Sequence, residues 1–279
     1  MLHRLLLTSL LAAPLAASAQ QKLDHFVHAN AAHTLYHELA HALIDQFNIP
    51  ILGQEEDAAD NFATLELARR FGPEAKPMLS DVATAWLMLH DDLAPDDFDY
   101  HDNHDLYAQR AYRTICMFYG LDPAENTDIA NWADIPQDLH GICEETALMT
   151  RDNWEGALAN TLRQDDDPVP EVTLTYAPPE RNNVLKVRLE ASGLLEDFVA
   201  DITDSFAWPA PIKVVALTCN EPNAFWDPET RSIEFCYEIL GEWMDQSRRD
   251  TRPLTDMFRT PSGRDTPALR DAPEKNVRD

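Results

Sequence analysis

Apolar side chains recur every three or four positions between residues 24 and 47, the spacing typical of a buried helix. Asn48 and Pro50 follow this stretch and are expected to end the helix. Similar spacing recurs later in the chain. The further predicted helices cover residues 55–70, 77–90 and 106–119, the last capped by Gly120, and shorter helices are expected over 121–163.

The period of the pattern changes after residues 164–170, an acidic, proline-bearing linker. Short alternating or β-branched runs follow, and they predict strands. These runs are residues 171–176, 212–219 and 232–236. Residues 183–206 are expected to be helical, although 184–189 also fit a strand, and 223–230 form a predicted turn. A helix to about Asp245 completes this part of the chain.

The order of these elements predicts an α+β protein. A mostly helical region over residues 20–163 is followed by an α/β segment over 164–245. We expect the second segment to complete the same folded unit with a small β-sheet. Residues 246–279 are charged, contain Pro and have few apolar positions, so they are predicted to form a disordered tail.

The N-terminus matches the three parts of an export signal. Arg4 supplies the positive start, residues 5–16 form a short apolar stretch, and Ala17-Ser18-Ala19 is a small-x-small cleavage site. The apolar stretch is too short to span a bilayer as a helix. We therefore predict a signal peptide over 1–19, a mature protein without a membrane span, and secretion or delivery to a bacterial periplasm.

The net charge and the cysteines of the chain indicate which partners to exclude and which covalent links to expect. A formal net charge of −27 at pH 7 repels phosphate backbones, so nucleic acid is not an expected partner. Four cysteines in an exported chain suggest two disulfides. Three connectivities are possible, and the pairs closest in sequence, Cys116–Cys143 and Cys219–Cys236, are the preferred ones.

The first predicted helix contains the motif His37-Glu38-Leu39-Ala40-His41, an H-E-x-x-H pattern. Residues four apart lie on the same face of a helix, so both imidazoles can bind one zinc ion. Glu38, beside the first ligand, can reach a water bound to that zinc and activate it as a general base. A polar cluster without metal is the alternative, but buried charges would then need full pairing.

A third metal ligand is expected at the start of the second helix. Glu56 and Asp60 lie one turn apart there, and a short connection would bring them beside the first helix. Glu56 would complete three protein ligands and Asp60 would orient a ligand histidine. Glu55 and Asp57 are alternative ligands, or simply favourable charges at a helix N-terminus.

Residues that could contact the substrate or the transition state follow, or lie at the end of, the acidic loop of residues 91–105. His104, Arg110 and Tyr112 are candidates because they lie near the start of one predicted helix. The same residues could instead form a solvated face with core aromatics. The loop lacks the D-x-[DN]-x-[DN]-G calcium pattern and is expected to be a solvated loop.

Two segments around this motif, His37–Asp45 and Leu52–Asp60, resemble a family of bacterial metallopeptidase-like proteins classified as a domain of unknown function. Two further segments, His104–Pro123 and Cys219–Glu238, are similar to that family as well. The resemblance covers most of residues 30–245 and implies a zincin-type fold with one zinc. The pattern from Glu56 to Asp60 is also similar to the helix that supplies the third zinc ligand in gluzincin peptidases.

The sequence thus predicts a zinc-dependent metallopeptidase that hydrolyses peptide bonds, with the segment 164–245 forming one wall of the cleft. Two alternatives remain. The chain could be a catalytically inactive zinc-binding protein that recognises envelope peptides or proteins, or a hydrolase of another amide such as a cell-wall peptide. Replacement of Glu38 by Gln distinguishes the peptidase from the inactive zinc-binding protein, because a peptidase would keep its zinc and lose turnover.

Overall fold

A computed structural model describes residues 13–180 and 183–249. Of the export signal predicted for residues 1–19, residues 1–12 lie outside the described part, and the first helix begins at Ala13 rather than near residue 24. The helices are α1 (Ala13–Phe47), α2 (Glu55–Phe71), α3 (Ala75–Asp92), α4 (Tyr107–Leu121), α5 (Thr127–Trp132), α6 (His140–Leu158), α7 (Asn183–Ser192), α8 (Leu194–Ser205) and α9 (Tyr237–Arg249).

Helices α1 and α2 form an antiparallel pair. Asn48 follows α1 in the left-handed region with φ 52°, which turns the chain back sharply. Side chains near the end of α1 contact the start of α2, where His41 meets Glu55, and side chains near its middle contact the far end, where His28 meets Phe71. This pairing places the first turn of α2 beside the H-E-x-x-H motif.

The strands form one four-stranded mixed sheet of order β1-β2-β4-β3. Their bounds are β1 (Val172–Tyr176), β2 (Ile212–Leu217), β3 (Ala224–Asp227) and β4 (Ser232–Cys236). The pairs β1–β2 and β2–β4 are parallel, and α7 and α8 form the crossover between β1 and β2. Strand β3 pairs antiparallel with β4, with Trp226 opposite Ile233, and lies at the edge.

The predicted turn at 223–230 is therefore wrong in part, because residues 224–227 form β3. Turn signals on both sides, Pro222 and Asp227-Pro228, hide a strand of only four residues. The alternative strand at 184–189 is also wrong, since those residues belong to α7, where Leu185 and Leu189 are buried on one helical face. The α+β class itself is confirmed.

The sheet packs directly against α1. Helix α9 and strands β3 and β4 all contact α1, and their buried side chains join one continuous apolar core with those of the N-terminal helices. At the surface of this junction, the indole Nε1 of Trp226 donates to Asp45 Oδ2 at 3.2 Å. Strand β3 thus lies along the helix that carries the motif.

Two disulfides join neighbouring elements. Cys116 of α4 is bonded to Cys143 of α6, and Cys219 to Cys236 at the end of β4. These are the pairs closest in sequence. Disulfides persist in oxidising compartments, so both fit an extracytoplasmic protein.

Gly120 does not cap α4, because the helix continues to Leu121. Its role is close packing: a Cβ at this position would lie 2.2 Å from the carbonyl oxygen of Cys143 and 2.7 Å from Cβ of Ala147. Only glycine allows α4 to approach α6 this closely. Helix α6 itself has 19 residues, longer than the short helices expected there.

Helix α9 also extends past the predicted start of the tail at residue 246. Gln246 is 1% exposed, and Arg249 bonds to Asp92 Oδ2 at 2.9 Å, so both residues contribute to the folded unit. The rest of the predicted tail, 250–279, lies outside the described residues. Within 13–180 and 183–249, no helix combines the length and apolar character needed to cross a membrane.

Candidate metal centre

Three side chains converge at the junction of α1 and α2. The Nε2 atoms of His37 and His41 lie 3.1 Å apart, and both approach Glu56 Oε2, at 3.1 and 3.2 Å. One potential ligand atom from each residue lies within 4.8 Å of the other two. Two imidazole nitrogens and one carboxylate oxygen are a donor set that fits a divalent metal with one position left open.

Helix geometry explains this convergence. His37 and His41 are one turn apart on α1, so their rings share a face, and they sit edge to face at 4.9 Å between centroids. Glu56 is the second residue of α2 and projects from its first turn towards that face. His37 is 6% exposed, so the cluster lies at the bottom of a depression rather than on the open surface.

Each histidine is oriented by a carboxylate on its other nitrogen. His37 Nδ1 lies 2.8 Å from Asp60 Oδ1, and His41 Nδ1 lies 2.8 Å from Glu55 Oε1. A hydrogen bond from Nδ1–H leaves Nε2 free to bind metal. The structure thus places Asp60 where the sequence predicted a supporting carboxylate, and gives Glu55 the same position on the second histidine.

Arg110 fixes Asp60 from the other side. Its Nε donates to Oδ2 at 2.7 Å and its Nη2 to Oδ1 at 2.8 Å. The guanidinium also lies over the ring of Trp86, 3.7 Å from the centroid. Arg110 was one of the candidate substrate contacts, and in the structure its Nε and Nη2 donate to Asp60.

The charges of these groups are strongly coupled. Burial opposes a charge on His37, yet its hydrogen bonds to Asp60 and Glu56 raise its pKa to about 10. Burial likewise opposes ionisation of Asp60 and Glu56, but Arg110 lowers the pKa of Asp60, and His104, followed by His37, lowers that of Glu56. The carboxylates are therefore ionised at neutral pH, and the metal-free cluster carries protons that a metal would displace.

Glu38 lies beside the cluster on the same helix and is 6% exposed. Burial raises the pKa of its carboxyl group, an effect opposed by His37 and His41. The main-chain N–H of Trp226 lies against this carboxylate and also favours its ionised form. A buried carboxyl group with a raised pKa is suited to accept and return a proton.

The loop before α4 reaches the same centre. His104 Nε2 lies 2.9 Å from Glu56 Oε2, and Asn103 Nδ2 donates to Glu56 Oε1 at 3.0 Å. His104 is held in turn by Asp102, whose Oδ1 lies 3.0 Å from its Nδ1. Both oxygens of Glu56 therefore have partners on this loop.

The structure does not bring Tyr112 to the centre. Its hydroxyl lies 3.8 Å from Cys143 Sγ. Residues two apart point to opposite sides of a helix, so Tyr112 and Arg110 cannot face the same site. Proximity in the sequence therefore did not show that Arg110 and Tyr112 share one site.

A cleft of about 570 Å³ opens beside the cluster. His37, Glu38 and His104 line one end, and Asn223 and Ala224, at the start of β3, line one wall. A larger groove of about 1350 Å³ lies between α2, α4 and α6, but it contains none of the cluster residues. The smaller cleft reaches the candidate metal centre at His37, whereas His41 and Glu56 are not among its lining residues.

Sequence reasoning missed three contributors to this region. His33, one turn before His37, is 2% exposed and lines the same cleft. Its spacing to His37 was the available signal. The only sequence feature that pointed to Asn103 was its position next to His104. No sequence feature pointed to the main-chain N–H of Trp226, because it belongs to a strand far along the chain.

The chain was compared with protein families, curated proteins and solved structures. None of the curated proteins and none of the solved structures matched it. The family model DUF4344, described as "Putative metallopeptidase", matches residues 9–158 and 176–260, which together are most of the chain. The matched segments include the H-E-x-x-H helix, the first turn of α2 and the strand that lies against Glu38. The chain therefore belongs to the DUF4344 family.

Proposed function

We propose that this protein is a zinc-dependent peptidase in which Glu38 acts as general base. Membership of a metallopeptidase family implies a metal and peptide or protein substrates. The observation that carries the proposal is the convergence of His37, His41 and Glu56 within 4.8 Å, with Glu38 beside them. Two histidines and a carboxylate around one open position are typical of catalytic rather than structural zinc sites.

The residues around the three ligands support a catalytic site. When bound, zinc polarises the carbonyl of the scissile bond and lowers the pKa of a bound water. Glu38 takes the proton from the attacking water and later delivers it to the leaving amine. Asp60 and Glu55 hold the ligand histidines in the tautomer that presents Nε2.

Strand β3 is suited to position an extended peptide. The Cys236 N–H donates to the Asn223 carbonyl at 3.1 Å, which fixes the alternation of hydrogen bonds between β3 and β4. Main-chain groups of Ala224 and Trp226 consequently face away from β4, towards the cleft and Glu38. An extended substrate can pair with this edge, as peptides do with other sheet edges.

His104 is the proposed donor to the oxyanion. Its Nε2 is 2.9 Å from Glu56 Oε2, and its ring is stacked with that of His37 at 6.1 Å between centroids. The imidazole therefore lies beside the cluster, and it lines the adjoining cleft. Hydrogen bonds to Glu56 and Asp102 raise the pKa of His104 despite its partial burial, which favours the protonated ring that can donate a hydrogen bond.

The proposal is tested first by metal content. We expect about one zinc per chain in protein purified without chelator, measured by elemental analysis, and a sharp fall in Glu56→Ala. Zinc at background level in a folded wild-type protein would contradict the proposal. Asp57→Ala, which removes a carboxylate from the same turn of α2, is the matched control, and its zinc content should stay close to that of the wild type.

The second test separates a peptidase from an inactive binder. Glu38→Gln should keep its zinc and lose cleavage of a peptide library by roughly 10²- to 10⁴-fold, the usual contribution of a general base. Cleavage at the wild-type rate in this variant would refute the role of Glu38. If the wild type itself binds zinc and peptides without cutting them, the inactive zinc-binding protein is the better description.

The location of the protein remains part of the proposal. The pattern at residues 1–19 supports export, and the two disulfides fit an oxidising compartment such as the periplasm. N-terminal sequencing of the protein from the cell envelope, with Gln20 as the expected first residue, tests this location.

A further inference from the structure

We propose that the cleft beside the metal centre selects peptides that carry a cationic group close to the scissile bond. This inference rests on the proposed peptidase function and adds its substrate class. The same cleft is lined by His37 and Glu38 of α1 and by Glu242 of α9. A bound peptide would therefore expose its side chains or its amino terminus to the α9 side of the same cavity.

Carboxylates face the cleft from two separate elements. Asp97 and Asp99 lie on the loop after α3, and Glu242 lies on α9. The two aspartates accept hydrogen bonds from main-chain N–H groups, of Ala94 at 3.2 Å and His101 at 2.8 Å. Such bonds order the carboxylates but leave their negative charge in place.

Glu242 has no hydrogen bond and no ion pair with any residue in the described ranges. Arg249, the cation that lowers the pKa of the Glu242 carboxyl group, is bound to Asp92 at 2.9 Å. Burial raises the pKa of the Glu242 carboxyl group, an effect that Arg249 opposes and Asp92 reinforces. A cation that enters the cleft would supply the missing partner.

Arg110 and four histidines, His33, His37, His90 and His104, line the cleft, and none of them forms an ion pair with these acids among the described residues. Arg110 is committed to Asp60, and His37 and His104 belong to the metal centre. No lysine lines the cleft within the described part of the chain. Asp97, Asp99 and Glu242 thus place three carboxylates without an arginine or lysine partner among the described residues along this cleft, which favours a cationic group beside them.

The walls between the acids suit the stem of a long cationic side chain. Leu89, Leu93 and Ile239 expose part of their apolar surface there, and Trp243 lies beside Glu242. Lysine and arginine bury their methylene groups against such surfaces and keep the charged head near acceptors. A free amino terminus offers the same ammonium chemistry on a shorter stem.

A second observation also indicates a polar occupant. His33 is 2% exposed and lines the cleft, and its Nε2 has no hydrogen-bond partner among the described residues. A buried polar atom without a partner costs about 1–3 kcal/mol. An occupant that brings hydrogen-bonding groups past His37 would offer this nitrogen a partner, which a purely apolar side chain cannot do.

The test uses the zinc-loaded full-length chain with Glu38→Gln, so that binding is measured without cleavage. Fluorescence anisotropy compares N-acetylated peptides that are identical except for Lys, norleucine or Glu at one position on either side of the scissile bond. We expect the Lys peptide to bind roughly 3- to 10-fold more tightly than the norleucine peptide, and the Glu peptide more weakly than both. The preference should shrink as ionic strength rises.

A second pair of peptides shows whether the preferred cation is a side chain or an amino terminus. Both peptides lack Lys and Arg, and one has a free amino terminus whereas the other is acetylated. Tighter binding of the free-amine peptide alone would assign the cleft to amino termini, and tighter binding of the Lys peptide alone would assign it to side chains. Equal binding of cationic and neutral peptides in both pairs, or no binding at all, would overturn the proposal.

Substitutions of single carboxylates show which residues cause the preference for cationic peptides. Glu242→Gln, made in the Glu38→Gln background, should lose most of the preference for the cationic peptide, whereas Glu145→Gln should keep it. Glu145 is an exposed residue of α6, and its replacement removes the same charge away from the cleft. A preference that survives Glu242→Gln combined with Asp97→Asn would overturn the assignment. Absence of cleavage by the wild type would refute the peptidase function but leave this binding preference measurable.

Discussion

Arg110 and Asp60 form a two-point contact, from Nε to Oδ2 at 2.7 Å and from Nη2 to Oδ1 at 2.8 Å. Asp60 Oδ1 also lies 2.8 Å from His37 Nδ1, so the contact continues to a proposed metal ligand. A bidentate guanidinium fixes the plane of a carboxylate, and a fixed carboxylate fixes the ring that it holds. The orientation of His37 thus depends on a residue of α4 that is not itself a ligand.

The first prediction concerns these contacts from Arg110 through Asp60 to His37. Asp60→Asn should weaken zinc binding about 10- to 100-fold, as loss of a supporting hydrogen bond does in other sites, and Arg110→Met should weaken it less. Competition with a chromophoric chelator measures both affinities. Arg113→Met, which removes the same charge one turn away, is the control and should leave the affinity nearly unchanged. Unaltered zinc affinity in Asp60→Asn would show that the contact does not support the ligand.

The second prediction concerns protons released when zinc binds. In the metal-free protein, hydrogen bonds to carboxylates outweigh burial and raise the pKa of His37 to about 10, and that of His41 is raised as well. The His37 ring is then largely protonated at pH 7, and zinc must displace that proton. Apparent zinc affinity should therefore rise with pH.

Titration calorimetry in buffers of different ionisation enthalpy measures this release. We expect about one proton or more per zinc at pH 7. The Asp60→Asn variant, which lacks the carboxylate that bonds His37 Nδ1 but keeps Glu56, is expected to release fewer. A heat of binding that does not depend on the buffer would contradict the protonation inferred for His37.

The third prediction concerns stability and His33. Burial lowers the pKa of this ring to about 4 from an unfolded value of 6.5. As the pH falls below 6.5, the unfolded chain takes up the proton first, so the free energy of unfolding declines until about pH 4 and this loss then ends. The contribution of His33 between pH 7 and pH 5 should be about 1–2 kcal/mol.

Urea unfolding of the metal-free protein at pH 7 and pH 5 measures this decline. The difference between the two values should shrink in His33→Gln, whatever the absolute stability of the variant. His101→Gln, at a side chain 97% exposed, should keep the wild-type difference. An undiminished difference in His33→Gln would mean that the buried ring takes up its proton as readily when folded as when unfolded.

The fourth prediction concerns the contact between α4 and α6. Gly120→Ala should destabilise the protein by about 2–3 kcal/mol, because the new Cβ would lie 2.2 Å from the Cys143 carbonyl oxygen, and backbone cannot give way cheaply. Gly156→Ala is the matched control, since this helical glycine has nothing within 4 Å of the added Cβ. It should be neutral or stabilising by about 0.5–1 kcal/mol. Thermal unfolding of both variants decides the comparison.

The sequence by itself determined the local features of the centre. Spacing of four residues places His37 and His41 on one face of a helix wherever that helix packs, and a short connection returns α2 alongside it. Glu56 and Asp60 were accessible to prediction for the same reason, since their separation is again one helical turn. The α+β class followed from the change of period after residue 164, because helices and strands repeat with different periods.

Only the tertiary structure decided the contacts made across long sequence separations. The Trp226 N–H lies against Glu38 because β3 occupies the edge of the sheet next to α1, and strand order depends on how the whole sheet packs. Arg110 turned out to hold Asp60 because α4 packs against α2, and the composition of α4 could not show which side chain its donors would meet. Local spacing fixes which residues share a face, whereas the partner of that face is chosen by burial of the complete core.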